Sequence, residues 1–264
     1  MLPFYWPPPI AATPSGAVAA KNQYWNAPTA PSEYDDEFTP DGTYNNSPDL
    51  ADRGWSVFDD ATGSVPQVRA DNVNPWDTTT PADNTYRSTL TPSGLLIQPS
   101  GTSMVIYKAV AGAGVFVCEI YPTFSTNTIQ YANVGIYKNV PTIVTPQQCA
   151  LLVNWYNTSR GSFALSPGGT YTSGGGSVSE GVDSPWGLTA IRWDGIAGGN
   201  QQSYIASPVA HRFQQNAVAN RVPTPVGFSA GAISLNLHGG MAAGKWWVLR
   251  CMRYLPVNSF PGFP

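Results

Sequence analysis

From residue 86 onward the chain is a succession of short apolar runs of period two, each closed by proline, glycine or serine. The runs are 94–98 (GLLIQ), 103–110 (SMVIYKAV), 115–121 (VFVCEIY), 133–138 (NVGIYK), 150–156 (ALLVNWY), 188–193 (LTAIRW), 203–206 (SYIA), 226–229 (VGFS), 232–237 (AISLNL) and 245–255 (KWWVLRCMRYL). Successive side chains of a strand point to opposite faces, so runs of this length between turn residues predict strands. Helical spacing is confined to 209–219 (VAHRFQQNAVA), which predicts one short helix. Many short strands, frequent turns and almost no helix leave an all-β fold, a two-sheet antiparallel sandwich of the jelly-roll kind.

The strands carry finer detail. In 115–121, Phe116, Cys118 and Ile120 fall on one face, with Val115, Val117, Glu119 and Tyr121 on the other. In 245–255, Trp247, Leu249 and Cys251 share a face until Arg253 breaks the alternation, so a bulge or the strand's exit is expected near it. Residues 166–181 (SPGGTYTSGGGSVSEG) are too rich in glycine and serine for a core and predict a long loop or hairpin tip. Between 33 and 83 the chain reads as polar and loop-rich, with apolar starts at Glu37-Phe38 and at Trp55-Ser-Val-Phe.

The start of the chain is different in kind. Residues 1–32 hold seven prolines, five aromatics and a single charge, Lys21. Proline fixes extended backbone and removes amide donors, so this segment cannot build a core. A linker that stays in water is poor in aromatics and richer in charge. The segment therefore reads as an arm that fastens the chain to a neighbour, with Phe4, Tyr5, Trp6, Tyr24 and Trp25 as its anchors. The expected organisation is an extended arm over 1–33, a sandwich over 34–256 and a tail over 257–264.

Charge narrows the partners. Only 11% of residues are charged, against the usual ~25%. The net charge of −3 gives no electrostatic footprint for nucleic acid. The sum hides a division: residues 1–83 hold 12 acids and 3 bases, residues 84–264 hold 4 acids and 10 bases. The two parts could attract each other within a chain or between copies, or the acids could simply sit in polar loops. Three cysteines, Cys118, Cys149 and Cys251, form no CxxC pair and are expected reduced and buried. No basic and apolar leader opens the chain and no run reaches the length of a membrane helix, so neither a signal peptide nor a membrane partner is expected.

A family resemblance runs over about residues 34–256. Tyr34-Asp-Asp-Glu-Phe-Thr-Pro-Asp-Gly and Arg53-Gly-Trp-Ser-Val resemble the opening of concanavalin A-like lectin and glucanase sandwiches. Thr91-Pro-Ser-Gly-Leu-Leu-Ile, Ser103-Met-Val-Ile-Tyr-Lys-Ala and Gly114-Val-Phe-Val-Cys-Glu-Ile resemble their next three strands, and Asn133-Val-Gly-Ile-Tyr the inner strand after them. Trp246-Trp-Val-Leu-Arg-Cys-Met-Arg-Tyr-Leu is similar to the closing strand that returns beside the first. Such domains with proline-rich arms look like those of tailed-phage virion proteins. The resemblance thus implies a structural protein assembled in the host cytoplasm and carried on the particle. Its partners would be other virion proteins or copies of itself in a homo-oligomer.

The resemblance also raises hydrolysis and sugar binding. Glycoside hydrolysis needs two carboxylates facing each other across the substrate. Beyond residue 84 the acids are Glu119, Glu180, Asp183 and Asp194, with no E-x-D-x-E spacing. His211 and His238 stand alone, so no metal site and no cofactor is expected. Asp35, Asp36 and Glu37, or Asp59 and Asp60, could offer oxygens to Ca²⁺ but read as solvated acidic loops. Two Pro-Trp pairs in predicted loops suit sugar stacking: Trp76 with Asp77, and Trp186 with Asp183 nearby, while Asn74 and Arg192 add polar groups. Those tryptophans could equally pack over the sandwich ends. The expectation is a non-enzymatic virion structural protein held by its arm, such as a capsid decoration, fibre or tail component. A carbohydrate-binding module of a phage fibre is the second reading and a glycoside hydrolase the third.

Overall fold

The structure is a computed structural model that describes residues 35–38, 47–58, 68–70, 79, 85–99, 103–123, 131–140, 149–156, 159–165, 171–178, 188–195, 202–207, 212–215, 224–225, 227–238 and 246–255. Its strands are β1 (Asp35–Glu37), β2 (Ser56–Phe58), β3 (Val68–Arg69), β4 (Thr85–Thr91), β5 (Gly94–Gln98), β6 (Ser103–Ala109), β7 (Gly114–Pro122) and β8 (Tyr131–Tyr137). They continue as β9 (Ala150–Tyr156), β10 (Ser159–Leu165), β11 (Tyr171–Val178), β12 (Leu188–Trp193), β13 (Gln202–Ser207), β14 (Arg212–Gln215), β15 (Ala232–His238) and β16 (Trp247–Leu255).

The strands form two sheets. The nine-stranded sheet runs β14-β13-β12-β7-β16-β5-β4-β3, with β1 paired to β16. The seven-stranded sheet runs β11-β10-β9-β8-β15-β6-β2. The winding is that of a jelly roll. The ribbon β6–β7 crosses from one sheet to the other and pairs strand for strand with the ribbon β15–β16, β6 to β15 and β7 to β16. All pairings are antiparallel except β3 with β4.

The core between the sheets collects the inward half of each alternation. Leu95, Ile97, Phe116, Cys118, Ile120, Ile191, Trp247 and Leu249 come from one sheet. Met104, Ile106, Val134, Ile136, Leu151, Val153, Ile233, Leu235 and Leu237 come from the other. The face of the nine-stranded sheet turned away from this core is buried too: Val115, Val117 and Ala190 are 0% exposed. An antiparallel sheet with one wet face alternates apolar and polar, so the almost wholly apolar β7 matches burial on both sides.

The strand at 245–255 bulges, but earlier than its sequence suggests. The register of β16 against β7 shifts between Leu249 and Cys251. Arg250 is the extra residue, at the point where the neighbour of β16 changes from β5 to β1. The shift sends Cys251 to the face of Glu119, away from Trp247 and Leu249, and brings Met252 and Tyr254 into the core. Arg253 thereby lands on the outward face without any break of its own.

Three other expectations are corrected. The segment expected to be helical contains β14, hydrogen-bonded to β13 from Tyr204↔Gln215 to Ser207↔Arg212. Its weak helical pattern yields to ladder partners that only the fold supplies. The Gly/Ser stretch contains an edge strand, β11, whose Gly174, Gly175 and Gly176 stand opposite the single Ser162 where the β10 register shifts. Such a bulge blunts an edge against pairing with other chains. Residues 227–230 form no strand: Phe228 N–H donates to the Pro225 carbonyl at 3.1 Å and Gly227 has φ +69, which close a turn.

Candidate functional site

The two ends of the sandwich differ. At one end β1 starts and β16 finishes. Their register pairs Asp35 with Arg253, Asp36 with Met252 and Glu37 with Cys251. In an antiparallel pair the start of one strand and the finish of the other lie at the same end, so Asp35 and Leu255 share one end of the sandwich. That end is closed by Tyr254, whose hydroxyl donates to the Gly112 carbonyl at 2.7 Å, and by the edge-to-face contact of Trp193 with Phe228 at 5.5 Å.

Thr79 is held toward the opposite end. Arg87, paired with Gln98 at the far end of β5, donates from Nη1 to the Thr79 carbonyl at 2.7 Å and from Nη2 to Thr79 Oγ1 at 2.9 Å. β12 begins at Leu188, opposite Glu119, toward the Pro122 end of β7 and away from Val115 and Leu255. Trp76, Asp77, Asp183 and Trp186 themselves lie outside the described residues, as do Phe4, Tyr5, Trp6, Tyr24 and Trp25.

One ionic group sits on the outward face of the nine-stranded sheet. The Tyr121 hydroxyl donates to Glu119 Oε1 at 2.6 Å, and Arg250 Nη1 lies 3.6 Å from the same oxygen. The Glu119 side chain is 8% exposed and that of Arg250 27%. The carboxylate beside it pushes the Arg250 guanidinium further up from its ordinary range, against the opposing effect of burial. Alternation from the inward Leu249 puts Arg250 on the outward face, and the bulge keeps Cys251 on that face as well. Register adds what sequence spacing hid: Glu37 and Glu119 both pair with Cys251, one from each side. Cys118, Cys149 and Cys251 are buried thiols.

The seven-stranded sheet carries amides instead. Asn154, Asn133 and Asn236 are in register across β9, β8 and β15. In the next row Ser103 pairs with His238, and the Ser103 hydroxyl lies 3.3 Å from Asn236 Oδ1 and 3.4 Å from His238 Nδ1. Asn133 and Asn236 alternate with the core residues Ala132, Val134, Leu235 and Leu237, so this row lies on the face of the seven-stranded sheet turned away from the core, where the two are nonetheless only 3% and 0% exposed. No group of three His, Cys, Asp or Glu side chains stands at metal-ligand spacing among the described residues.

An antiparallel jelly-roll sandwich with distinct ends is the class that this architecture defines. No protein-family model matches the chain, and no curated protein does. Among solved structures it is similar to a β-glucanase from Bacillus licheniformis, at 14% identity and a TM-score of 0.48, over 84% of this chain and 97% of the other. It is also similar to the legume lectin-like domain from Entamoeba histolytica, at 10% identity and a TM-score of 0.45, over 72% and 100%. A carbohydrate esterase from the Shiga toxin-encoding bacteriophage phi24B gives 12% identity and a TM-score of 0.43, over 86% and 99%.

Proposed function

We propose that this chain is a non-enzymatic structural protein of a virus particle, held by its N-terminal arm and presenting a β-sandwich outward. The observation that carries the reading is the polarity of the sandwich. The chain enters β1 at one end, and Thr79 and the start of β12 stand toward the other. A pre-extended proline arm loses little entropy on docking, and aromatic anchors supply most of the binding energy in such interfaces. Asp35↔Arg253 sets an acidic strand beside a basic one at the arm's root, as the division of charge suggests. The partners are other virion proteins or further copies of this chain.

The absence of catalysis is part of the proposal. Glu119 has one oxygen engaged by both the Tyr121 hydroxyl and the Arg250 guanidinium, and no second carboxylate faces it across a cleft among the described residues. The seven strands of the second sheet contain no Asp or Glu. Hydrolysis of soluble β-glucans abolished by Glu119→Gln would overturn this part.

The test of the main reading is truncation. Removal of residues 1–33 should leave a folded sandwich that no longer enters particles. Normal incorporation of that variant would sink the reading. Sugar recognition is a second reading, suggested by the Pro-Trp pairs at Trp76 and Trp186. Glycan-array binding lost in Trp76→Ala and in Trp186→Ala supports it, and no binding by the intact chain removes it.

A further inference from the structure

We propose that the row Arg87, Gln98 and Trp246, on the outward face of the nine-stranded sheet, is a binding site for a carboxylate group. The site is separate from the arm, so it stands or falls independently of the docking reading.

Register makes the row. Trp247 pairs with Ile97, and both side chains lie in the core. One position further along, Trp246 stands opposite Gln98 with about 5 Å between Cα atoms, and both side chains turn to the outward face. Gln98 is in turn paired with Arg87. On the other flank of Trp246, the Thr123 N–H donates to the Trp246 carbonyl at 2.8 Å. The Thr123 hydroxyl is used on the same residue: it donates to the Trp246 carbonyl at 2.9 Å and accepts from the Trp246 backbone N–H at 3.1 Å.

Two donors in this row are buried and unmet. Gln98 is 0% exposed and Trp246 4%. Arg87 Nη1 donates to Gln98 Oε1 at 3.4 Å, which orients the amide and turns Nε2 the other way. Gln98 Nε2 and Trp246 Nε1 find no acceptor among the described residues. Buried donors without a partner cost stability and are few in native proteins, so two on adjacent residues point to a ligand. Amide and indole N–H groups require an acceptor, and the guanidinium beside them favours a negative one. An ionised carboxylate is acceptor-only and forms charge-assisted bonds with such donors. Glu119, on the same face, does not fill this role. It lies four residues back from Thr123 along the chain, about 13 Å away in a strand, and its Oε1 is engaged by Tyr121 and Arg250. Arg87, Leu96 and Thr123 are only partly buried, which gives the row an open margin.

The test follows the Trp246 indole N–H in nitrogen–proton correlation spectra of the full chain, with Trp246→Phe to assign the signal. Sodium acetate probes the bare carboxylate and sodium glucuronate one carried on a sugar, and the tighter binder names the source. We expect a saturable shift with these salts and none with sodium chloride or glucose at equal concentration. Gln98→Leu should weaken binding at least tenfold while its thermal midpoint is no lower than the parent's, since it removes an unmet donor. Acetate should also raise the midpoint of the parent and not that of Trp246→Phe, which keeps an aromatic ring and deletes the N–H. No shift with either carboxylate, or an equal shift with chloride or glucose, overturns the site. So does a Gln98→Leu variant that melts earlier and binds acetate as the parent does, or a Trp246→Phe variant that acetate stabilises as much as the parent.

Discussion

Gly94 faces the carbonyl of Leu249 at the residue where β16 changes partner. A Cβ on Gly94 would lie 2.7 Å from Leu249 O and 3.2 Å from Arg250 Cγ, and φ at Gly94 is +133. The bulge at Arg250 therefore depends on a bare backbone in β5. Gly94→Ala combines a strained dihedral with a backbone clash and should cost about 2–4 kcal/mol. Urea unfolding measures it. A loss below about 0.5 kcal/mol would show that β5 and the bulge move apart freely.

The group of Glu119, Tyr121 and Arg250 should behave as one unit. Glu119→Gln leaves a largely buried guanidinium without its charge partner. With Arg250 about a quarter exposed, solvent screens part of that loss, so about 1–2 kcal/mol is expected. Arg250→Met in the Glu119→Gln background should cost about 1 kcal/mol less than in the parent. Additive losses in this double-mutant cycle would mean that the ion pair contributes nothing.

Alkaline pH should weaken the fold. Burial raises the Tyr254 hydroxyl above its ordinary value of 10.0 and the Cys118 thiol above 9.0. Burial also raises Tyr86, helped by the charge of Asp49, to whose Oδ1 it donates at 3.0 Å. Below pH 9 these groups are neutral in both states. Above it the unfolded chain releases protons that the folded chain keeps, so stability falls as pH rises. The slope should approach about 1.4 kcal/mol per pH unit for each group. Tyr254→Phe should flatten the profile above pH 10, and an unaltered slope would count against this account.

The thiols should be silent in the native protein. Cys118 and Cys251 are 0% exposed and Cys149 2%. A thiol reagent at pH 8 should label none within minutes and all three after denaturation. Rapid native labelling of Cys251 would place it on an open surface.

Much of this body is legible in the chain because alternation is a local signal. In β7 the inward row Phe116, Cys118 and Ile120 follows from spacing alone. The strand β14 is not legible, since its ladder partner β13 comes from elsewhere and its own residues prefer no state strongly. Cys251 is misplaced by spacing, because one extra residue at Arg250 reverses every side chain after it. Of the candidate site, the arm's anchors and the Pro-Trp pairs are visible as composition, whereas the pairing of β1 with the end of β16 is not.

What the amino-acid order determines by itself is the β character, the inward faces of most strands, the charge-poor aromatic start of the chain and the scarcity of acids after residue 84. Each is a property of neighbours along the chain. Tertiary structure alone decides that β1 lies against β16, that Asp35 and Leu255 share one end of the sandwich, and that Glu37 and Glu119 flank one cysteine. Those relations join residues more than a hundred positions apart. They arise from how two ribbons wind into a jelly roll, which no local period encodes.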